Sequence, residues 1–480
     1  MAVLENLEPK KVFKFFEDIT KIPHGSGNEK ALSDFLVNFA KERNLEVIQD
    51  SELNVIIRKT ASSNYEGLSP VIIQGHMDMV CEKNKDINHD FLKDPLKLRI
   101  TDDYIYANGT TLGADNGIAV AFGLALLDSN DIPHPPLEIL VTTGEETGMY
   151  GANAVDPKHL NGKALLNIDA EEEGVFFVSC AGGATNYVHI KNKWENTSNS
   201  ALKLEIKGLR GGHSGMEIIK QRGNSNKLMG RLLNSINKEI DFNIAYISGG
   251  AKNNAIPRES EVILSTENTN IEKLKLIANN TIDIFKKELR VQDPDVKLEI
   301  TEVKVEKHLT TEITVKIINF LNLMPNGIQT MSKDIEGLVE SSLNLGVIIF
   351  NEDKVTFESA VRSSVKTLKV EILDRIETLS KLIGAELIND SDYPEWQFEP
   401  NSKLRDLCVE TYKEIKGQEP KIDAIHAGLE CGLLKEKMPD VDMISFGPNL
   451  YDVHTPDEHI SITSVQNLWE FIIKLMKNMK

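Results

Sequence analysis

In Gln74-Gly75-His76-Met77-Asp78 an imidazole and a carboxylate stand two residues apart, directly after the apolar run Val71-Ile72-Ile73. Such a run reads as a buried strand. On an extended segment, positions i and i+2 share a face, so His76 and Asp78 can bind a metal ion together or one can orient the other. A surface loop that happens to hold a His and an Asp explains the pair alone equally well, and other segments must decide. Leu112-Gly113-Ala114-Asp115-Asn116-Gly117 opens into the nearly all-apolar Ile118–Leu127, a buried helix with Asp115 at its N-terminus. An ordinary N-cap would also put an Asp there. The strand over 137–143 runs into Gly144-Glu145-Glu146-Thr147-Gly148, and the strand over 164–168 ends at Asp169. Three strands thus deliver a His or carboxylates at their C-terminal ends, where chemistry collects in an open α/β sheet.

His76, Asp115, Glu146, Asp169 and His454 make a set of three carboxylates and two imidazoles. That set suits two divalent, zinc-like ions if one carboxylate bridges them. Two ions about 3.5–4 Å apart clamp a nucleophilic water and the oxygen it attacks, and a general base must still move the proton to the leaving amine. Neighbouring side chains on an extended segment point opposite ways, so Glu145 and Glu146 can divide the base and ligand roles. Asp78 would hydrogen-bond the second nitrogen of His76 and fix its tautomer. Gly211-Gly212-His213-Ser214-Gly215 is poor core material, which draws attention to His213. His454, before Thr455-Pro456, is no metal signal by itself. His426 and Glu430 flank Gly428, where backbone could approach a substrate or simply turn. Glu171-Glu172-Glu173 reads as a solvated acidic run, and His24, His89, His134, His159, His189, His308 and His459 as surface or structural residues.

The elements that must position these groups change texture along the chain. Helices are expected near 8–19 and 28–42, followed by short strands and the strand carrying His76; 84–111 reads as loop and hairpin. From about 183 to 395 alternating strands, as in half-exposed antiparallel sheets, interleave with amphipathic helices near 227–238, 271–289, 311–323 and 368–383. Two successive β-α-β-like sets would give a duplicated, ferredoxin-like domain. After Trp396 the first texture returns, with helices at 403–415 and 465–479. The expected class is α/β: a discontinuous catalytic domain over 1–182 and 396–480, a mixed sheet flanked by helices, with an inserted α+β lid domain over 183–395.

A chain of 480 residues exceeds what one core sustains. Its net charge of −19 argues against nucleic-acid partners. Cys81, Cys180, Cys408 and Cys431 show no C-x-x-C spacing, which fits reduced thiols. No signal peptide or membrane span is expected, so a cytoplasmic location is.

Gly75-His76-Met77-Asp78, Gly113-Ala114-Asp115-Asn116-Gly117, Gly144-Glu145-Glu146-Thr147-Gly148, Asp169, Gly211-Gly212-His213-Ser214-Gly215 and His454 together resemble the co-catalytic zinc aminopeptidase, dipeptidase and aminoacylase family. Within it the chain is most similar to the aminoacyl-histidine dipeptidases, a group also called cytosolic non-specific dipeptidases, along essentially its full length. The resemblance implies a zinc-peptidase-like fold with Asp115 as the bridging ligand, its bond to Asn116 cis. His76 and Asp169 would complete one metal's ligands, Glu146 and His454 the other's. It implies Glu145 as general base, Asp78 as the residue that orients His76, and His213 as an oxyanion donor, in some relatives supplied across a dimer. Asn254 and Arg258 would hold the substrate; Arg suits a peptide carboxylate because it binds bidentately. The implied cofactors are two divalent ions, Zn²⁺ with Mn²⁺ or Co²⁺ as substitutes, and the implied assembly is a homodimer through the lid. The implied activity is hydrolysis of unblocked dipeptides, Xaa-His among them. A tripeptidase or N-acyl amino acid hydrolase of the same family is the near alternative, and a non-catalytic peptide-binding protein the distant one. A metallophosphatase is disfavoured, because its usual first motif has the Asp before the His.

Overall fold

The computed structural model describes residues 2–480. The chain divides into two compact units: Met1–Ser179, Phe398–Ala424 and Leu429–Lys480 form the first, Cys180–Gln397 and Ile425–Gly428 the second. The sequence reading puts 1–182 and 396–480 in one domain; the structure places 180–182, 396–397 and Ile425–Gly428 in the second unit.

The first unit is built on an eight-stranded sheet ordered Glu46–Gln49, Val55–Lys59, Leu137–Thr142, Val71–His76, Ala164–Asn167, Asp442–Ser445, Val175–Cys180, Lys421–Ile425. Its four middle strands, from Leu137–Thr142 to Asp442–Ser445, run parallel. The strands at Val55–Lys59 and Val175–Cys180 pair antiparallel to this block, so the sheet is mixed. Every residue of Val71–His76 and of Leu137–Thr142 is buried, as expected where helices cover both faces of parallel strands. The register sets Gln74 opposite Asn167 on one side and His76 opposite Thr142 on the other. A separate four-stranded sheet contains Leu450–Tyr451 and His459–Ser461, which bracket the loop bearing His454.

The helix Ala114–Asp128 is buried nearly throughout, which accounts for its apolar composition. Its first residues correct the simple picture of an Asp at a helix start. Asp115 and Asn116 have non-helical dihedrals, the peptide between them is cis, and Gly113 precedes them with φ +68°.

The second unit contains a nine-stranded antiparallel sheet. Its first half runs Ser200–Lys207, helix Ser225–Asn237, Asn243–Gly249, Ser260–Thr266, helix Ile271–Glu288, Lys297–Val303. The second half runs Gly182–Lys191, helix Thr311–Leu323, Val339–Phe350, Lys354–Ser363, helix Lys366–Ile383, Glu386–Tyr393. Each half is β-α-β-β-α-β with spatial strand order fourth, first, third, second, and the two second strands meet at Gly249 and Ile348. A duplicated, ferredoxin-like topology is therefore present, with the first half threaded into the second. Leu232, Phe285, Phe320 and Ile376, one from each of the four helices, pack with Leu204, Leu264 and Phe357 in its core.

Candidate metal centre

Each candidate ligand owes its place to a strand end or a tight backbone feature. His76 is the last residue of its strand and is buried. Asp115 sits at the cis peptide, where the Asn116 side chain pins the turn: its Oδ1 accepts from His76 N at 3.3 Å and its Nδ2 donates to Ile168 O at 2.7 Å. Asp169 follows that Ile168. His454 projects from its hairpin loop with φ +62° and is half exposed.

These segments bring the acids and imidazoles together. Asp115 Oδ1 lies 3.2 Å from His76 Nε2, and Asp115 Oδ2 lies 3.2 Å from His454 Nε2. His76 Nε2 is also 3.4 Å from Asp169 Oδ1, and His454 Nε2 is 3.0 Å from Glu146 Oε2. One carboxylate thus spans two imidazoles, and each imidazole has a second carboxylate of its own. Ligand atoms of His76, Asp115 and Glu146 fall within 4.8 Å of one another. Glu146 Oε1 is buried with no hydrogen-bond partner, a lone pair aimed at nothing in the protein. Oxygen and imidazole donors at this spacing, with an unsatisfied buried oxygen among them, fit divalent metal.

The electrostatics follow from the crowding. Hydrogen bonds to Asp115 and Glu146 push His454 up to about 11. Burial opposes a charged His76, yet the Asp169 charge and the contacts to Asp115 and Asp78 raise it well above the usual imidazole range. Burial would raise Asp115 as well, and the two imidazoles hold it well below. Glu145 is raised well above a normal glutamate, first by burial and then by the charges of Asp169, Glu430 and Glu146.

Glu145 and Glu146 do not lie on an extended segment. They form a turn closed by Gly148 N and Met149 N donating to Glu145 O at 3.2 and 3.1 Å. Asp78 braces that turn. Its Oδ1 accepts from Glu145 N at 3.0 Å, and its Oδ2 accepts from Glu146 N at 3.3 Å and from Ser26 Oγ at 2.8 Å. The same carboxylate stands 3.4 Å from His76 Nδ1, whose ring also meets Asp78 O at 3.0 Å. Asp78 therefore fixes both the imidazole and the turn.

In the second unit, Gly212-His213 pairs with Ala255-Ile256 as a two-stranded ladder, and Ser214 N donates to Asn254 O at 2.8 Å. His213, Asn254 and Arg258 line one groove of 500 Å³ with Arg210. His213 Nδ1 accepts from Gly215 N and Met216 N at 3.2 and 3.0 Å, which leaves the proton on Nε2. Burial and the nearby Arg362 lower its pKa, keeping the ring neutral with an Nε2–H donor.

A model of peptidase family M20/M25/M40 matches residues 72–478. The chain belongs to that family. It is 38% identical over 480 residues to the cytosol non-specific dipeptidase of Escherichia coli K12, covering 99% of both chains. Its fold matches the crystal structure of aminoacylhistidine dipeptidase from Vibrio alginolyticus with a TM-score of 0.95 at 38% identity, over 99% of this chain and 97% of that one. A tripeptidase from Staphylococcus aureus shares the fold at a TM-score of 0.56 and 16% identity, over 98% and 99% of the two chains.

The structure of this M20-family peptidase also exposes residues that sequence reasoning passed over. Glu458 is buried and accepts from the backbone N–H groups of Leu112, Gly113, Ala114 and Asp115 at 2.7, 3.1, 2.9 and 3.3 Å. It ties the loop bearing His454 to the turn bearing Asp115. Arg362 donates to Tyr393 Oη at 3.0 Å and keeps a buried, unpartnered Nε. It acts electrostatically on both His213 and His426. The acidic run is not uniformly solvated: Glu171 and Glu172 are exposed, but Glu173 is partly buried and pairs with Lys416 at 3.2 Å. His24 and His134 are buried and bonded to backbone carbonyls, as structural histidines are.

Proposed function

We propose that this M20-family peptidase is a cytoplasmic two-metal dipeptidase that hydrolyses unblocked dipeptides, Xaa-His among them. The observation that carries the two-metal reading is Asp115, whose two oxygens reach two different imidazoles, each with its own second carboxylate. In that reading His76 and Asp169 hold one ion, Glu146 and His454 the other, and Asp115 both. Two bound ions, Zn²⁺ or in its place Mn²⁺ or Co²⁺, supply Lewis acidity toward the scissile carbonyl and the attacking water. Glu145 takes the proton from that water and returns it to the leaving amine. Its acid-crowded carboxyl, raised above the ordinary glutamate range, is the more able to hold a proton between the two transfers. His213, a neutral Nε2–H donor, stabilises the oxyanion. Asn254 and Arg258 hold the substrate, with Arg362 as a second cation for its carboxylate.

The likeness to two proteins named as dipeptidases over 97–99% of their lengths supports the substrate class. A homodimer built through the second unit is also proposed, supported by Met216 and Ile219, large apolar side chains exposed beside His213.

Glu145→Ala is expected to lower dipeptide turnover by about 10²–10⁴-fold with metal content near wild type. Retained activity, or metal lost in parallel, would sink the base assignment. A panel of dipeptide, tripeptide and N-acetyl amino acid, run on chelated and then metal-reconstituted enzyme, decides the class. Preference for either of the last two overturns the dipeptidase reading. Mixing inactive Glu145→Ala with inactive His213→Ala restores activity if His213 works across a dimer, and leaves none if it works within its own chain.

A further inference from the structure

Glu430 opens the helix Glu430–Lys437 and is fully buried in the first unit. Its Oε2 accepts from Gln74 Nε2 at 2.5 Å and from Thr142 Oγ1 at 2.7 Å, while Oε1 has no partner. Gln74 Oε1 in turn accepts from Asn167 Nδ2 at 2.6 Å. Lys or Arg is not among these partners. A buried carboxyl held by two neutral donors is costly to keep, and an apolar side chain would serve packing better. Its partners give the reason for keeping it. Gln74 is two residues before His76, Asn167 two before Asp169, and Thr142 ends the strand that feeds the Glu145-Glu146 turn. Residues two apart on a strand share a face, so Gln74 lies one step beneath His76, while Thr142 stands level with His76 and Asn167 ends its own strand. Backbone ladders already align these strands; the polar network locks their last residues side chain to side chain, where the ladders run out.

We infer that Glu430 is a positioning residue for the reaction: through Gln74, Thr142 and Asn167 it holds three strand ends at the mutual distances that His76, Asp169 and the Glu145-Glu146 turn require. The inference rests on the ligand assignment above and is independent of the substrate assignment. Outer partners of metal ligands characteristically cost about 10–100-fold in affinity or activity when removed.

The test measures kcat and KM for a dipeptide, and Zn²⁺ affinity by competition with a chromogenic chelator. It compares wild type, Glu430→Leu, Glu430→Gln and Thr142→Val. Glu430→Leu is expected to lower kcat and Zn²⁺ affinity by about 10–100-fold with KM changed by no more than about twofold. Glu430→Gln, which keeps an acceptor for the same donors, should recover most of both. A loss of melting temperature with kcat and Zn²⁺ affinity unchanged would make Glu430 merely structural and overturn the inference. Equal losses for Gln and Leu would overturn it too, since charge and not position would then matter. Should Glu430→Leu fail to fold, Thr142→Val removes one donor at constant shape; a several-fold fall in kcat supports the role, and wild-type kcat refutes it. Zn²⁺ affinity needs no substrate, so a wild type inactive on dipeptides would sink the substrate assignment while the Glu430 comparison still stands or falls on its own.

Discussion

Asp78 does more than aim an imidazole. Its two oxygens are shared among His76, Ser26 and the N–H groups of Glu145 and Glu146, all of which point hydrogens at it. Burial would lift its carboxyl, but these donors hold it below the ordinary carboxylate range. An Asn at this position has one oxygen and one amide group, so one side must face donors with a donor. Asp78→Asn is therefore expected to lose kcat by about 10–100-fold, nearly as much as Asp78→Ala, and to bind metal more weakly than wild type. Steady-state kinetics with metal analysis of the same samples checks this. An Asn variant close to wild type would mean that Asp78 only fills space. The partnership of His76 with Asp78 was legible in the sequence because two-residue spacing at a strand end forces proximity. The contacts to residues 145 and 146 were not, because they depend on a turn where an extended segment was expected. His454 was legible only through the family resemblance, for a similar reason: it takes its place from a left-handed backbone in a hairpin loop, and such loops leave no periodic trace.

At the scale of elements, the helix Ala114–Asp128 begins with the irregular dihedrals of Asp115 and Asn116, so its first N–H groups need an external acceptor. Glu458 supplies it with one carboxylate for four N–H groups, two at the helix start (Ala114, Asp115) and two just before it (Leu112, Gly113), from a segment 343–346 residues away in sequence. Burial and the Asp115 charge push that carboxyl up to about 7 against the pull of the N–H groups. Glu458→Ala leaves buried donors unsatisfied and is expected to cost about 1–3 kcal/mol of stability. It also frees both the Asp115 turn and the His454 loop, so metal affinity should fall with it. Urea unfolding and a chelator competition on one variant test the two effects; a stability loss without a metal effect would mean that the clamp serves folding alone. Sequence patterning found most of the long helices from a single apolar face and Ala114–Asp128 from its nearly all-apolar run. It missed the short helix Glu430–Lys437, whose buried residues, Glu430 to Leu434, run consecutively and give no amphipathic signal.

At the scale of the molecule, the return of Ile425–Gly428 to the second unit makes His426 a buried anchor of that unit. Its Nε2 meets Ser342 Oγ at 2.7 Å and its Nδ1 has no partner. Burial, then the charges of Arg362 and His213, lower its pKa to about 3. The sign of the linkage follows. The folded ring stays neutral below the ordinary imidazole value of 6.5, while the unfolded chain takes up a proton there. Stability from this group is thus present above pH 6.5 and is lost progressively as the pH falls toward 3. The remaining titratable groups are common to wild type and a His426→Gln variant. The difference between the two isolates the histidine. Below pH 6.5 the stability of wild type should fall faster than that of His426→Gln, by as much as about 1.4 kcal/mol per pH unit. Urea midpoints followed by tryptophan fluorescence report on this unit, because Trp194 and Trp396 belong to it and only Trp469 to the other. Parallel acid slopes in the two proteins would mean that the ring is protonated in the folded state and that the Ser342 contact, not a neutral anchor, is what the position contributes.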